Sequence, residues 1–135
     1  QAVAAYELGR VEQAPGQGDL LIRVPWLIAA LEDDRPAVRR FAWNSLIAID
    51  SKLADSPSAL QLSALLAGFD FTGAPAERAG SVQAIANGFA SLDKRVWPQP
   101  SAATALDTQY RLNPEVLSRL RELGARSDKQ IDIGE

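Results

Sequence analysis

Apolar residues recur along most of this chain at intervals of three and four, the spacing that lines one face of an α-helix. The clearest run is Val38, Phe41, Ala42, Leu46 and Ile49, separated by three, one, four and three positions. Arg39, Arg40, Asn44 and Lys52 fall away from that stripe. The pattern predicts an amphipathic helix from Pro36 to about Leu53, with Pro36 at its start and Asp34 or Arg35 near the cap. Residues 24–32 (VPWLIAALE) predict a shorter helix with Pro25 in its first turn, where a missing N–H costs nothing. Between the two, residues 33–35 (DDR) break the periodicity. Two helices around a tight acidic turn are therefore the best-defined unit in the sequence.

The flanks follow the same logic. Residues 1–11 read as a helix with Val3, Tyr6 and Leu8 as its larger apolar groups and Gly9 at its end. Residues 12–19 (EQAPGQGD) read as a polar loop. A third helix is expected over 56–68, opened by Ser56 and Pro57, with Leu60, Leu62, Leu65 and Leu66 apolar. After the connector 69–73 (FDFTG) comes a fourth over 75–94, in which Ala79, Val82, Ile85, Ala86 and Phe89 keep helical spacing. Gly80 and Gly88 weaken it by roughly 1 kcal/mol each relative to alanine. Residues 95–112 contain Pro98 and Pro100 and little periodicity, so they should run extended. Asn113 then caps a last helix, with Pro114 and Glu115 in its first turn, Val116, Leu117, Leu120 and Leu123 apolar, and Gly124 at its end. A polar tail occupies 127–135. The expected fold is all-α and one domain over 1–135, with paired helices in 1–53 and additional helices in 54–126.

Composition narrows the chemistry. With 135 residues, 47% apolar and 23% charged, the chain is long enough for a genuine core and has ordinary globular character. A net charge of −3 argues against general nucleic-acid binding, which needs a cationic surplus to displace counterions from phosphates. The chain has no cysteine, so disulfides, thiolate zinc sites and a cysteine nucleophile are excluded. It has no histidine either, which removes the commonest general base and the commonest transition-metal ligand. Residues 1–10 lack the basic start and apolar run of a signal peptide, and no apolar stretch approaches a membrane span. The missing methionine points to a processed terminus, as in an exported periplasmic protein, or to a piece of a longer chain; the cytoplasm is equally compatible with this composition.

Residues 24–53 resemble a HEAT repeat of the short bacterial type, the PBS-lyase HEAT-like repeat. The resemblance rests on Pro25, Leu27, Ile28 and Leu31, then Asp33 or Asp34, then Pro36, Val38, Arg39, Arg40, Ala42, Leu46 and Ile49. Residues 1–10 (QAVAAYELGR) look like the closing helix of a preceding repeat. Residues 69–89, with APAERAGSV leading a helix, are similar to a segment that follows such repeats in some bacterial proteins. Trp26, Phe41 and Trp43 are larger than the residues usual in the family, and no period of 30–45 residues runs through the chain. The resemblance implies an α-solenoid fragment, whose helix pairs bury their apolar stripes only by stacking on neighbours. Whatever the family, so short a stack would leave apolar surface at an exposed end for a partner to cover, which is the physical route to a protein-binding role.

The candidate side chains fit that role better than catalysis. Glu32, Asp33 and Asp34 lack the spacing of a calcium loop and suit a turn whose acids favour the positive end of the next helix. Arg35, Arg39 and Arg40 are candidates for meeting a partner's acids or phosphates. Trp97 lies in a proline-rich loop, where its ring is either tucked over the domain or presented to a partner, and Trp43 is the second aromatic candidate. Ser45, Ser51, Ser81 and Tyr110 have no histidine to activate them, and adjacent Ser51 and Lys52 do not face each other on a helix. The sequence thus points to a non-enzymatic scaffold or accessory subunit without cofactor or metal, binding protein through Trp97, Arg35, Arg39, Arg40 and Trp43. The alternative is a nucleic-acid-binding HEAT-like module. A helical enzyme would need Glu7, Asp33, Asp34 and Arg39 or Arg40 to converge in one pocket. One packing expectation follows as well: Trp26, Phe41, Leu46 and Ile49 should be buried in a single cluster.

Overall fold

The stripe of apolar residues begins earlier than position 24, and the first helix begins with it. The computed structural model describes residues 17–95, 97–100, 105–119 and 121–123. In it, α1 spans Gln17–Ala30, α2 Pro36–Leu53, α3 Ser63–Ala67 and α4 Pro75–Ala90. Leu20 and Leu21 continue the buried face of Val24, Leu27, Ile28 and Leu31, which carries α1 through residues 17–19, expected as loop. Pro25 consequently lies inside the helix rather than in its first turn. The expected helix over 1–11, loop residues 12–16, Gly124 and the tail 127–135 lie outside the described residues.

The second helix keeps its expected bounds. Arg35 precedes it in extended conformation, and Pro36 supplies a φ already suited to the first turn. Its buried stripe is Val38, Ala42, Ser45, Leu46, Ile49 and Leu53, so Leu46 and Ile49 enter the core as expected. Trp26 is half-buried and Phe41 is 39% exposed, which breaks up the expected cluster. Phe41 fails to join because Val38, Ala42, Ser45 and Ile49 define a face from which position 41 is turned away. Ser45 lies on that face, and its hydroxyl donates to the Phe41 carbonyl at 2.7 Å.

The third helix is much shorter than the expected 56–68. Leu60 and Leu62 are each 1% exposed, and two residues apart they cannot share one face of a helix. An irregular chain solves this, with Gln61 between them in the left-handed region at φ 54°. The Leu62 N–H then donates to Asp50 Oδ1 at 3.1 Å, tying the segment to α2. At the other end of the unit, α4 stops at Ala90 rather than Lys94. The core lies between α1 and α2, with α4 against α1 and α3 between α2 and α4. Gly88 permits the last approach, since a Cβ there would stand 2.9 Å from Leu65 Cδ1.

The chain divides into two compact units, Gln1–Gln99 and Pro100–Glu135. In the second, residues 105–112 form a closed turn instead of the expected extended run. Asp107 N–H donates to the Arg111 carbonyl at 3.0 Å, and Leu106 pairs with Leu112 in an isolated antiparallel bridge. The Asp107 carboxylate organises this turn, accepting from the N–H groups of Gln109 at 2.8 Å and Arg111 at 2.9 Å and from Arg111 Nε at 2.9 Å. Asn113 caps the helical residues that follow, its Oδ1 accepting the Glu115 N–H at 2.9 Å. Among the described residues there is no strand, and the fold is mostly helical. No helix among them is long and apolar enough to cross a membrane.

Candidate functional site

On α2, Arg40, Trp43 and Ile47 follow one another at intervals of three and four, so they form one ridge on the side of the helix turned away from the buried stripe. Arg40 is exposed, Trp43 is half-buried and Ile47 is 37% exposed. The indole of Trp43 is fixed: Nε1 donates to the Leu66 carbonyl at 2.7 Å, at the end of α3. Its ring lies 5.7 Å from that of Phe71, tilted by 50°, within the favourable range for an aromatic pair. Phe71 is itself half-buried. The ridge therefore combines an apolar step, a locked aromatic pair and a cation at one end.

Arg39 holds the ground under this ridge. The sequence placed it away from the apolar stripe, yet it is only 4% exposed. Position 39 precedes Trp43 and Leu46 by four and seven, so it lies at the edge of the buried face. Its Nε donates to the Phe71 carbonyl at 2.8 Å, and Nη1 donates to the carbonyls of Asp33 at 2.7 Å and Asp34 at 2.9 Å. One guanidinium thus joins the α1–α2 turn to the 69–73 connector and sets the height of Phe71 beside Trp43. A rigid planar fork suits this better than a lysine point charge.

The other candidates are dispersed. Arg35 donates to Asp33 through its backbone N–H at 2.9 Å, Nε at 3.1 Å and Nη2 at 3.3 Å. Burial by itself would raise the Asp33 carboxyl, but the hydrogen bonds and charge of Arg35 outweigh it and hold the group below the usual carboxylate range. The acidic turn is thus a folded element whose central acid is paired. Among the described residues no group of three or more acidic side chains is placed to hold a metal ion. Trp97 is 4% exposed and stacks on Phe89 at 5.5 Å, so the ring proposed for a partner faces inward. Its partner Phe89, near the end of α4, is 5% exposed. Ser45 bonds within its own helix, and Glu7 lies outside the described residues.

Of the five candidate binding residues, Arg39, Arg40 and Trp43 are helical neighbours on α2, Arg35 is paired with Asp33 in the turn that Arg39 also bonds, and Trp97 lies elsewhere. Two contributors escaped the sequence reading. Ile47 was legible, four residues beyond Trp43, but it stood outside the strongest stripe. Phe71 carried no local signal, because its place depends on the long-range bond from Arg39. No protein-family model matches the chain, and neither a curated protein nor a solved structure is detectably similar to it.

Proposed function

We propose that this chain is a non-enzymatic protein-binding module, an accessory or scaffolding part of a larger assembly, in which α1 and α2 are a HEAT-like pair. The observation that carries the reading is the locked, half-exposed indole of Trp43 beside exposed Ile47 and Arg40. Tryptophan and arginine dominate interface hot spots, typically at ~2 kcal/mol or more on truncation. A ring already held in place loses little conformational freedom when a partner covers it. With Nε1 engaged by Leu66, the indole contributes its apolar face to a partner rather than a hydrogen bond.

The arrangement of charge favours protein over nucleic acid. Arg35 is paired with Asp33, and Nε and Nη1 of Arg39 are engaged by carbonyls, so Arg40 is the exposed cation of the ridge. A phosphate-tracking surface needs several such cations. The test is affinity capture with wild-type protein and Ile47→Asp at low and high salt, with nuclease present. The reading requires a folded partner retained at high salt and lost with Ile47→Asp, while circular dichroism stays unchanged. Recovery abolished by nuclease, or no partner for either protein, defeats it.

A further inference from the structure

An asparagine followed by glycine readily loses its side-chain amide, because no side chain on the second residue hinders closure of a five-membered imide. The chain holds one such pair, Asn87–Gly88, and it lies in the last turn of α4. Asn87 is exposed, and its Oδ1 accepts from Gln83 Nε2 at 2.9 Å. A donor on that oxygen draws charge away from Cγ and makes it a better target for a nucleophile. The closed helix holds the reaction back, since helical ψ keeps the Gly88 nitrogen off Cγ. The turn is tied by Ser91, whose N–H donates to the Asn87 carbonyl at 3.0 Å and whose Oγ donates to that of Gly88 at 2.9 Å. Lys94 Nζ adds bonds to the carbonyls of Phe89 and Ala90. Helix ends nevertheless open more readily than interiors, and glycine weakens this one relative to alanine. Rotation about ψ of Asn87 moves Gly88 but leaves the Asn87 side chain, with its Gln83 bond, in place.

We propose that Asn87 is a site of spontaneous deamidation, reacting through the opened last turn of α4, with Gln83 as the donor that activates its side-chain carbonyl. The Gly88 N–H gives its proton to hydroxide, and the nitrogen attacks Asn87 Cγ. The bond from Cγ to the side-chain nitrogen then breaks, and ammonia leaves with a proton from water. A water molecule opens the imide at either carbonyl, giving aspartate or isoaspartate. Either product loosens the end of α4. A carboxylate stands there at the negative end of the helix dipole. Isoaspartate also lengthens the backbone by a methylene beside Gly88, where even a Cβ would lie 2.9 Å from Leu65 Cδ1 and 3.4 Å from Leu62 Cδ2. Those leucines neighbour Leu66, whose carbonyl fixes the Trp43 indole, so the modification reaches the ridge through α3.

The test is incubation of the full chain at mildly alkaline pH, with and without urea, followed by trypsin and mass spectrometry. Arg78 and Lys94 bound the peptide 79–94, in which Asn87 is the sole asparagine, and the change from amide to acid is read from its mass. In the folded protein, conversion at Asn87 is expected to exceed that at Asn44, exposed in the interior of α2, by about tenfold or more. Gln83→Met keeps the length and helix propensity of the side chain and removes the donor. It should slow conversion about two- to tenfold in the folded protein and leave the rate in urea, where the bond is absent, unchanged. A merely structural role for Gln83 gives the opposite sign, because losing a bond between positions four apart frees the turn and speeds the reaction. Conversion at Asn87 no faster than at Asn44, or a folded-state rate that Gln83→Met leaves unchanged or raises, overturns the proposal.

Discussion

Arg39→Met separates the stabilising role of the buried guanidinium from simple packing. Methionine keeps most of the apolar stem but removes the donors to the carbonyls of Phe71, Asp33 and Asp34. Hydrogen bonds involving a charged group are worth ~1.5–3 kcal/mol each, so the three sum to ~4–9 kcal/mol before any correction. Removing the charge also removes its desolvation penalty of several kcal/mol. The freed turn carbonyls at 33 and 34 lie beside exposed side chains and can be rehydrated. A net loss of ~3 kcal/mol follows, which for a unit of this size lowers the midpoint of thermal unfolding by about 12–24 °C. Urea unfolding followed by circular dichroism measures it, with Arg40→Met as the neighbouring control. Arg40 is exposed, and its replacement is expected to stay within ~0.5 kcal/mol. If Arg39→Met costs less than ~1 kcal/mol, or no more than Arg40→Met, the guanidinium does not hold the connector and the account of Phe71 fails.

Two further predictions are independent of the ridge. A methyl group added at Gly80 would meet nothing within 4 Å, so Gly80→Ala should stabilise α4 by ~0.5–1 kcal/mol. At Gly88 the same change meets Leu65 Cδ1 at 2.9 Å and the buried Leu62 Cδ2 at 3.4 Å; the half-exposed Leu65 tip can swing aside, so strain offsets part of the helix gain and this variant should be less stable than Gly80→Ala by up to ~1 kcal/mol. Equal melting temperatures would refute that packing. Asp93 is lowered to about 2, chiefly by side-chain hydrogen bonds from Arg95. Because its folded value lies below the unfolded one, its contribution is complete above the unfolded carboxylate range and is lost as pH falls through the folded value. Carboxyl NMR titration should show that low midpoint, and Arg95→Gln should return it towards 3.8, the ordinary value; an unchanged midpoint would show that Arg95 is not the cause.

What the sequence revealed and what it hid divide along physical lines. The bounds of α2 were legible because proline and apolar period agree there, and Asn113 marked its helix because capping is a local interaction. Leu60 and Leu62 misled, since their burial is satisfied by an irregular chain whose shape depends on Asp50, twelve residues away from Leu62. The helix of Lys94 ended early because the lysine folds back onto carbonyls, a choice that helical propensity does not encode. For the candidate site, Trp43 and Arg40 could be named from residue type alone. Their grouping with Ile47 needed the helix face, and Phe71 needed a bond spanning 32 positions. Trp97 was a sound choice by residue type and a poor one by place, because a proline-rich segment can bury its aromatic as readily as display it.

The central claim is that the Arg40–Trp43–Ile47 ridge is a protein-binding surface, and site-specific photocrosslinking tests it most directly. A benzophenone amino acid is placed at position 47 and, as a control on another exposed helix face, at Ala84 of α4. The protein is then irradiated in native extract. Discrete protein adducts from position 47, absent from 84 and suppressed by Arg40→Glu, are the predicted result. Adducts to nucleic acid, or identical patterns from both positions, would contradict the claim.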